Sequence, residues 1–356
     1  GVLDFLINFY PQGKLVHSPV YYIIIYYLQK IFGNEFTRFA LMHLFLVIPF
    51  IYYKSINLKF KKSNFLIVML IIFFISPSYR SIAIWSGREI LTILFLILSI
   101  YNYSLFINYF KKKYIYFSFL LLALASYISP EVGIVSLIYL YEASKILNKK
   151  NLTKLILFNI LISTPFLLYI NHYLQFERAF SDNILINFVF NLPFFFSTIF
   201  IFTIPFVMVK FNEYLKFIIK NKLPFIILGL IFFFLTFNME NKIGGGAIYY
   251  VLKKLNLKTF IFIFSILGMM NIYFIFNKNI LYNSFILIIL LIQTCLNYHF
   301  FQKYVDLTWL LYFIFFFKSQ DMSWYLEKLN FKFYLISIYF IIFSGSLIYM
   351  NGFMNG

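Results

Sequence analysis

The sequence predicts an all-α protein, a polytopic transmembrane bundle of about 12 spans. Three observations predict it. Apolar residues fall in runs of roughly 14 to 26, divided by short polar patches, and a helix needs about 20 mostly apolar residues to cross a bilayer. Hydrophobic residues make up 62% of the chain and charged residues 12%, against about half and about a quarter in a soluble domain. Lysines collect in every second gap between the runs, which is the pattern of membrane topology. No segment alternates in the manner of a barrel strand.

In chain order, 1–36 reads as a first outer loop. Pro11 and Gly13 break the chain, and Pro19 is suited to open a helix. The apolar stretch that follows stops at Gly33 and is short, which fits a helix lying at the interface. Spans are then expected near 37–53, 64–77, 89–110, 114–129, 132–144, 155–170, 184–209, 223–238, 259–276, 281–297, 304–317 and 333–350. No long linker and no internal repeat divides them. The whole of 1–356 reads as one integral membrane domain, with the bundle over 37–350.

Alternating the sides puts 19 basic residues and four acids in one set of gaps, among them 54–62, 111–113, 145–154 and 210–222. The other set holds 11 basic residues and eight acids. Lysine-rich gaps face the cytoplasm, so the second set faces outward. The formal charge of +18 is therefore a topology signal and does not imply a nucleic-acid partner. The 52 Phe and 30 Tyr follow from AT-rich codons and carry no functional reading. Cys295 is the one cysteine, so no internal disulfide forms. The four His show no metal-ligand spacing. The chain opens on Gly, and no stretch reads as a cleavable signal peptide.

The outer gaps hold the unusual polar residues. Charges near membrane depth are costly and usually face a cavity or a partner. The first loop carries Asp4, then "HSPVYY" with His17, Tyr21 and Tyr22, then "FGNEFTRF" with Gly33 and Arg38. The second, "SPSYRSIAIWSGREI", sets Arg80, Trp85, Arg88 and Glu89 at the mouth of a span. Arginine's planar fork suits phosphate oxygens; snorkelling interface anchors would look the same. A very tight turn holds Ser129, Pro130 and Glu131. The stretch "NKIGGGAIYY" places Gly245 in a glycine triplet that lets backbone amides approach a ligand, without a P-loop lysine. Finally "FFQKYVDLTWLLYF" brings Lys303, Tyr304 and Asp306 to a span entrance.

The first loop resembles that of GT-C fold glycosyltransferases, the polyprenyl-phosphate-sugar-dependent membrane enzymes, in their ArnT/PMT-like bacterial branch. Those loops carry a catalytic Asp, an "HPPLYY"-like turn, "FG" and an Arg opening the next span; here Ser18 replaces one Pro. The "W-x-x-x-E", "GGG" and "Y-x-K-Y-x-D" segments of that branch resemble the stretches around Trp85, Gly245 and Lys303. Where related enzymes often carry an Arg-Gln pair, this chain has Ser-Pro-Glu at 129–131. Family members have a span before the first loop, whereas three residues precede Asp4. Either a span belongs upstream of them or Asp4 is not the family's Asp.

The resemblance implies a glycosyltransferase in the bacterial inner membrane with its site facing outward. It would move a sugar from a polyprenyl-phosphate donor to a glycan, lipid or protein acceptor. Asp4 is the first expected base and Glu131 the second. Arg80, Arg88 and Lys303 would hold the donor phosphate. His17, Tyr21, Tyr22, Trp85, Glu89, Gly245, Tyr304 and Asp306 would line the substrate cavity. A divalent cation, Mg²⁺ or Mn²⁺, on the donor phosphate is compatible with the sequence and not required by it. A second resemblance covers residues 88–126, which are similar to the Arg-rich segment of Wzy/EpsG-type polysaccharide polymerases; those commonly have a His in the next outer turn, which here reads "SPEVG". A lipid or solute transporter is the non-enzymatic alternative, but charges at the midplane in repeated halves are not seen.

Overall fold

A computed structural model describes residues 19–60, 89–172, 184–237, 246–276, 279–295 and 305–318. Among them all regular structure is helical. The helices gather into two compact units.

The first unit begins with α1 (Pro19–Phe32) and α2 (Asn34–Lys59). They meet at Gly33, whose φ of 83° is open to glycine and strained for other residues. Its N–H caps α1 by donating to Gln29 O, and its carbonyl accepts from the Thr37 hydroxyl at 2.8 Å. The sequence places the helix end at this glycine, and the structure agrees. Next come α3 (Glu89–Tyr109), α4 (Lys112–Ile128), a 3₁₀ turn (Pro130–Ile134), α5 (Val135–Ser144) and α6 (Lys149–His172).

Buried hydroxyls fasten this unit. Ser99 on α3 donates to Ser118 O on α4 at 2.7 Å and lies 3.0 Å from the Tyr139 hydroxyl on α5. The Tyr139 ring stacks on Tyr103 with centroids 4.4 Å apart. Such pairs matter in an apolar bundle, where lipid is as greasy as a leucine face and packing and hydrogen bonds drive association.

The second unit contains α7 (Ile184–Val209), α8 (Phe211–Lys220), α9 (Lys222–Phe237), α10 (Gly246–Lys254), a 3₁₀ turn (Lys258–Phe260), α11 (Ile261–Phe276), α12 (Ile280–Cys295) and α13 (Asp306–Phe315). α7 and α11 run parallel, because Ser265 donates to Pro193 O at 2.7 Å and Asn271 donates to Thr203 Oγ1 at 2.8 Å. They touch backbone to backbone: a Cβ on Gly268 would stand 1.9 Å from the Phe196 carbonyl oxygen. α12 runs antiparallel to α7, tied by the Asn191 amide donating to Cys295 O at 2.9 Å.

Over the fully described residues, four helices are long and apolar enough to cross a membrane: Asn34–Lys59, Glu89–Tyr109, Leu185–Ile204 and Lys258–Phe276. A fifth forms if the bent pair Phe211–Lys220 and Leu223–Leu235 is one span. The chain is a helical membrane protein. Rows of large apolar residues face outward, as on α9 with Ile226, Leu230 and Phe234, and hydroxyls inside the helices bond back to their own carbonyls, as Thr198 does to Phe194 O.

The segment 132–144, expected as a span, differs. Its start is wound into the 3₁₀ turn after Pro130, and α5 has ten residues. At 1.5 Å per residue that is about 15 Å, half the hydrocarbon thickness. α13 is equally short. The expected spans at 64–77 and 333–350 lie outside the described residues.

Candidate functional site

Two of the described candidates, Glu89 and Glu131, lie at one end of the first unit. Glu89 opens α3, where a carboxylate meets the positive end of the helix dipole. One turn on, Thr92 Oγ1 lies 3.0 Å from Ser129 Oγ, and both residues are buried. Ser129 caps the end of α4 with its N–H on Ala125 O, and its own carbonyl accepts from Val132 N. Pro130 starts the 3₁₀ turn and Glu131 follows in its first turn, half-buried. The fold thus puts two carboxylate-bearing positions, 42 residues apart in sequence, on either side of one buried hydroxyl pair. Gly133 keeps the turn close to α4, since a Cβ there would come 3.3 Å from Ser126 Cβ.

The other end of this unit belongs to lysine. The Asn108 amide donates to Leu58 O at 3.0 Å, joining the C-terminal ends of α2 and α3. Lys112 Nζ donates to Asn151 Oδ1 at 3.1 Å, joining the starts of α4 and α6. Lys54, Lys59, Lys111, Lys112, Lys113, Lys149 and Lys150 therefore share that end, with Lys145 at the close of α5. Several lie over aromatic rings: Lys54 is 4.6 Å from the Phe50 centroid and Lys145 is 3.9 Å from that of Tyr141. These are the geometries of interface anchors.

The second unit is tied at its ends by polar and aromatic contacts and carries lysines at both. Asn283 gathers the end of α11 and the residue after α13: its amide donates to Phe276 O and Lys318 O, each at 3.0 Å, and its Oδ1 accepts from Lys318 N at 2.9 Å. Lys210 and Lys318 stand at this end. α10, which ends in Lys253 and Lys254, stands at the other with Lys258 and Asp306. Phe194, three turns into α7, meets Tyr249 edge to face at 4.8 Å, which ties α10 to α7.

Comparison with family models, with curated proteins and with solved structures returns no match.

Of the sequence candidates, Glu89 and Glu131 are brought together in the sense just given. Tyr21 and Tyr22 sit in the first turn of α1, with rings edge to face at 5.5 Å. α1 packs on α2 and α4, so they belong to the same unit as the two carboxylates. Asp306 opens α13. Asp4, His17, Arg80, Trp85, Arg88, Gly245, Lys303 and Tyr304 lie outside the described residues. Sequence reasoning missed Thr92. Its one signal was its place a single helical turn after Glu89, on the same face of the helix.

Proposed function

We propose that the protein is an integral membrane glycosyltransferase of the GT-C kind, with about 12 spans in the bacterial inner membrane and its site on the extracytoplasmic face. What supports the reading is the polarity of the first unit. Acids Glu89 and Glu131 stand at one end, beside the Thr92–Ser129 pair, and lysines fill the opposite end. Lysine-rich ends face the cytoplasm, so the carboxylate end faces out, where a lipid-linked sugar presents its anomeric carbon.

The reaction would use a carboxylate from Asp4 or Glu131 as base. It takes the proton of an acceptor hydroxyl while the acceptor oxygen bonds to the anomeric carbon. The bond from that carbon to the phosphate oxygen breaks, and polyprenyl phosphate leaves with the electron pair. The roles of Arg80, Arg88 and Lys303 toward the donor phosphate rest on the sequence alone. The acceptor would be a glycan, lipid or protein.

Paired variants test the assignment. Transfer from a radiolabelled polyprenyl-phosphate sugar is followed in membranes carrying Asp4→Asn or Glu131→Gln. Each keeps size and most hydrogen bonds but accepts no proton. The variant that lacks the base falls by about 10²–10⁴. Normal transfer in both rejects a carboxylate base.

A further inference from the structure

The segment 210–222, which the sequence presents as a lysine-bearing gap, folds as α8 and turns by 82° into the apolar helix behind it, Leu223–Leu235. Where α9 serves as the span that the sequence expects over 223–238, a helix that meets it near a right angle lies close to the membrane plane. We infer that α8 is an interfacial anchor whose occupant is a leaflet of acidic phospholipid.

Three faces of α8 carry the inference. Tyr214 faces the protein and is buried; its ring meets Phe274 at 5.3 Å, and that of Phe217 meets Tyr273 at 5.5 Å. Phe211, Leu215 and Ile219 recur every fourth residue and are 43%, 42% and 69% exposed. Lys216 and Lys220 are exposed too, and Glu213 leaves its charge in the open while 3.8 Å from Lys210. At 3.6 residues per turn, the exposed apolar stripe falls between the protein-facing side and the lysines. That order matches a helix sunk to headgroup depth, with apolar side chains among the acyl chains and ammonium groups at the phosphates.

The apolar stripe continues into the next helix. Leu223, Ile226, Ile227, Leu230 and Phe234 are all more than half exposed and form the row that faces lipid. The charge excess of α8 selects acidic headgroups over zwitterionic ones. The inference concerns attachment and stands apart from sugar transfer.

Full-length protein in vesicles provides the test. Cys295 is replaced by Ala, and single cysteines at Ile219 or Glu213 carry a fluorophore. Vesicles contain phosphatidylcholine with or without phosphatidylglycerol, either one brominated on its chains. The Ile219 probe is expected to be quenched by brominated chains and shielded from iodide, with the Glu213 probe showing the reverse. Preference for brominated phosphatidylglycerol over brominated phosphatidylcholine should fall about five-fold for each of Lys216→Gln and Lys220→Gln. Iodide quenching at Ile219 in both vesicle types would put the helix in water and overturn the inference. Quenching by neither agent would mean that protein, such as a second copy of this chain, covers the stripe. Equal quenching by both lipids, unchanged in the lysine variants, would also overturn it.

Discussion

Thr92 and Ser129 face each other across 3.0 Å in the interior of the first unit, 37 residues apart in sequence. The pair couples the start of α3 to the end of α4. It therefore fixes where the backbones of Glu89 and Glu131 stand. A hydroxyl in an apolar bundle is worth little until it finds a partner, and a pair of this kind contributes about 0.6–1.7 kcal/mol.

Thr92→Val keeps the shape of the side chain and leaves the Ser129 hydroxyl without this partner. The expected loss is about 1 kcal/mol, read as a lower unfolding temperature in detergent. Thr92→Val with Ser129→Ala should recover part of it, because both polar groups are then gone. Additive losses in the double variant would show that the two hydroxyls do not interact.

Two glycines should separate cleanly. At Gly268 an added Cβ meets the Phe196 backbone at 1.9 Å, and backbone cannot swing aside. Gly268→Ala should therefore push α7 and α11 apart and cost about 1–3 kcal/mol or more. At Gly229 the near atom is the Cδ1 tip of Ile266 at 2.7 Å, which a rotamer change removes. Gly229→Ala should be close to neutral, helped by alanine's better helix propensity. Equal effects on the unfolding temperature would refute the backbone approach at Gly268.

Much of the fold was legible. Apolar runs of about 20 residues announce α2, α3, α7 and α11, and Gly33 marks the end of α1. Two elements were not legible, for physical reasons. Lysines spaced through 210–222 look like a solvated gap, although Phe211, Leu215 and Ile219 keep helical spacing. The apolar run at 132–144 looks like a span, although Pro130 shortens it. In the site, Glu89 and Glu131 could be picked out because charge at membrane depth is costly. Their shared end followed from alternating the lysine-rich gaps; the Thr92–Ser129 contact that fastens it did not, because it depends on how α3 and α4 pack.

The sidedness can be read by labelling. With Cys295 replaced, Lys112→Cys should resist a membrane-impermeant thiol reagent in intact cells, and Glu131→Cys should react. The motive is the separation of lysine and carboxylate ends within one unit. Ready labelling at position 112 with none at 131 would reverse the orientation and move the proposed chemistry to the cytoplasmic face.

Arg88→Lys keeps the charge and loses the bidentate fork. If Arg88 holds the donor phosphate, the variant should raise the apparent KM for the lipid-linked sugar more than it lowers kcat. Unchanged kinetics would make Arg88 an interface anchor.

Sugar transfer itself is the decisive measurement. Membranes containing the protein, and matched membranes without it, receive polyprenyl phosphate carrying a radiolabelled sugar. Label should leave the donor and enter an acceptor in the first sample alone, and the double variant Asp4→Asn/Glu131→Gln should lose about 10²–10⁴ of that rate while remaining folded in the membrane. Donor left intact by the wild-type protein across candidate sugars, or turned over equally by the double variant, would contradict the glycosyltransferase reading.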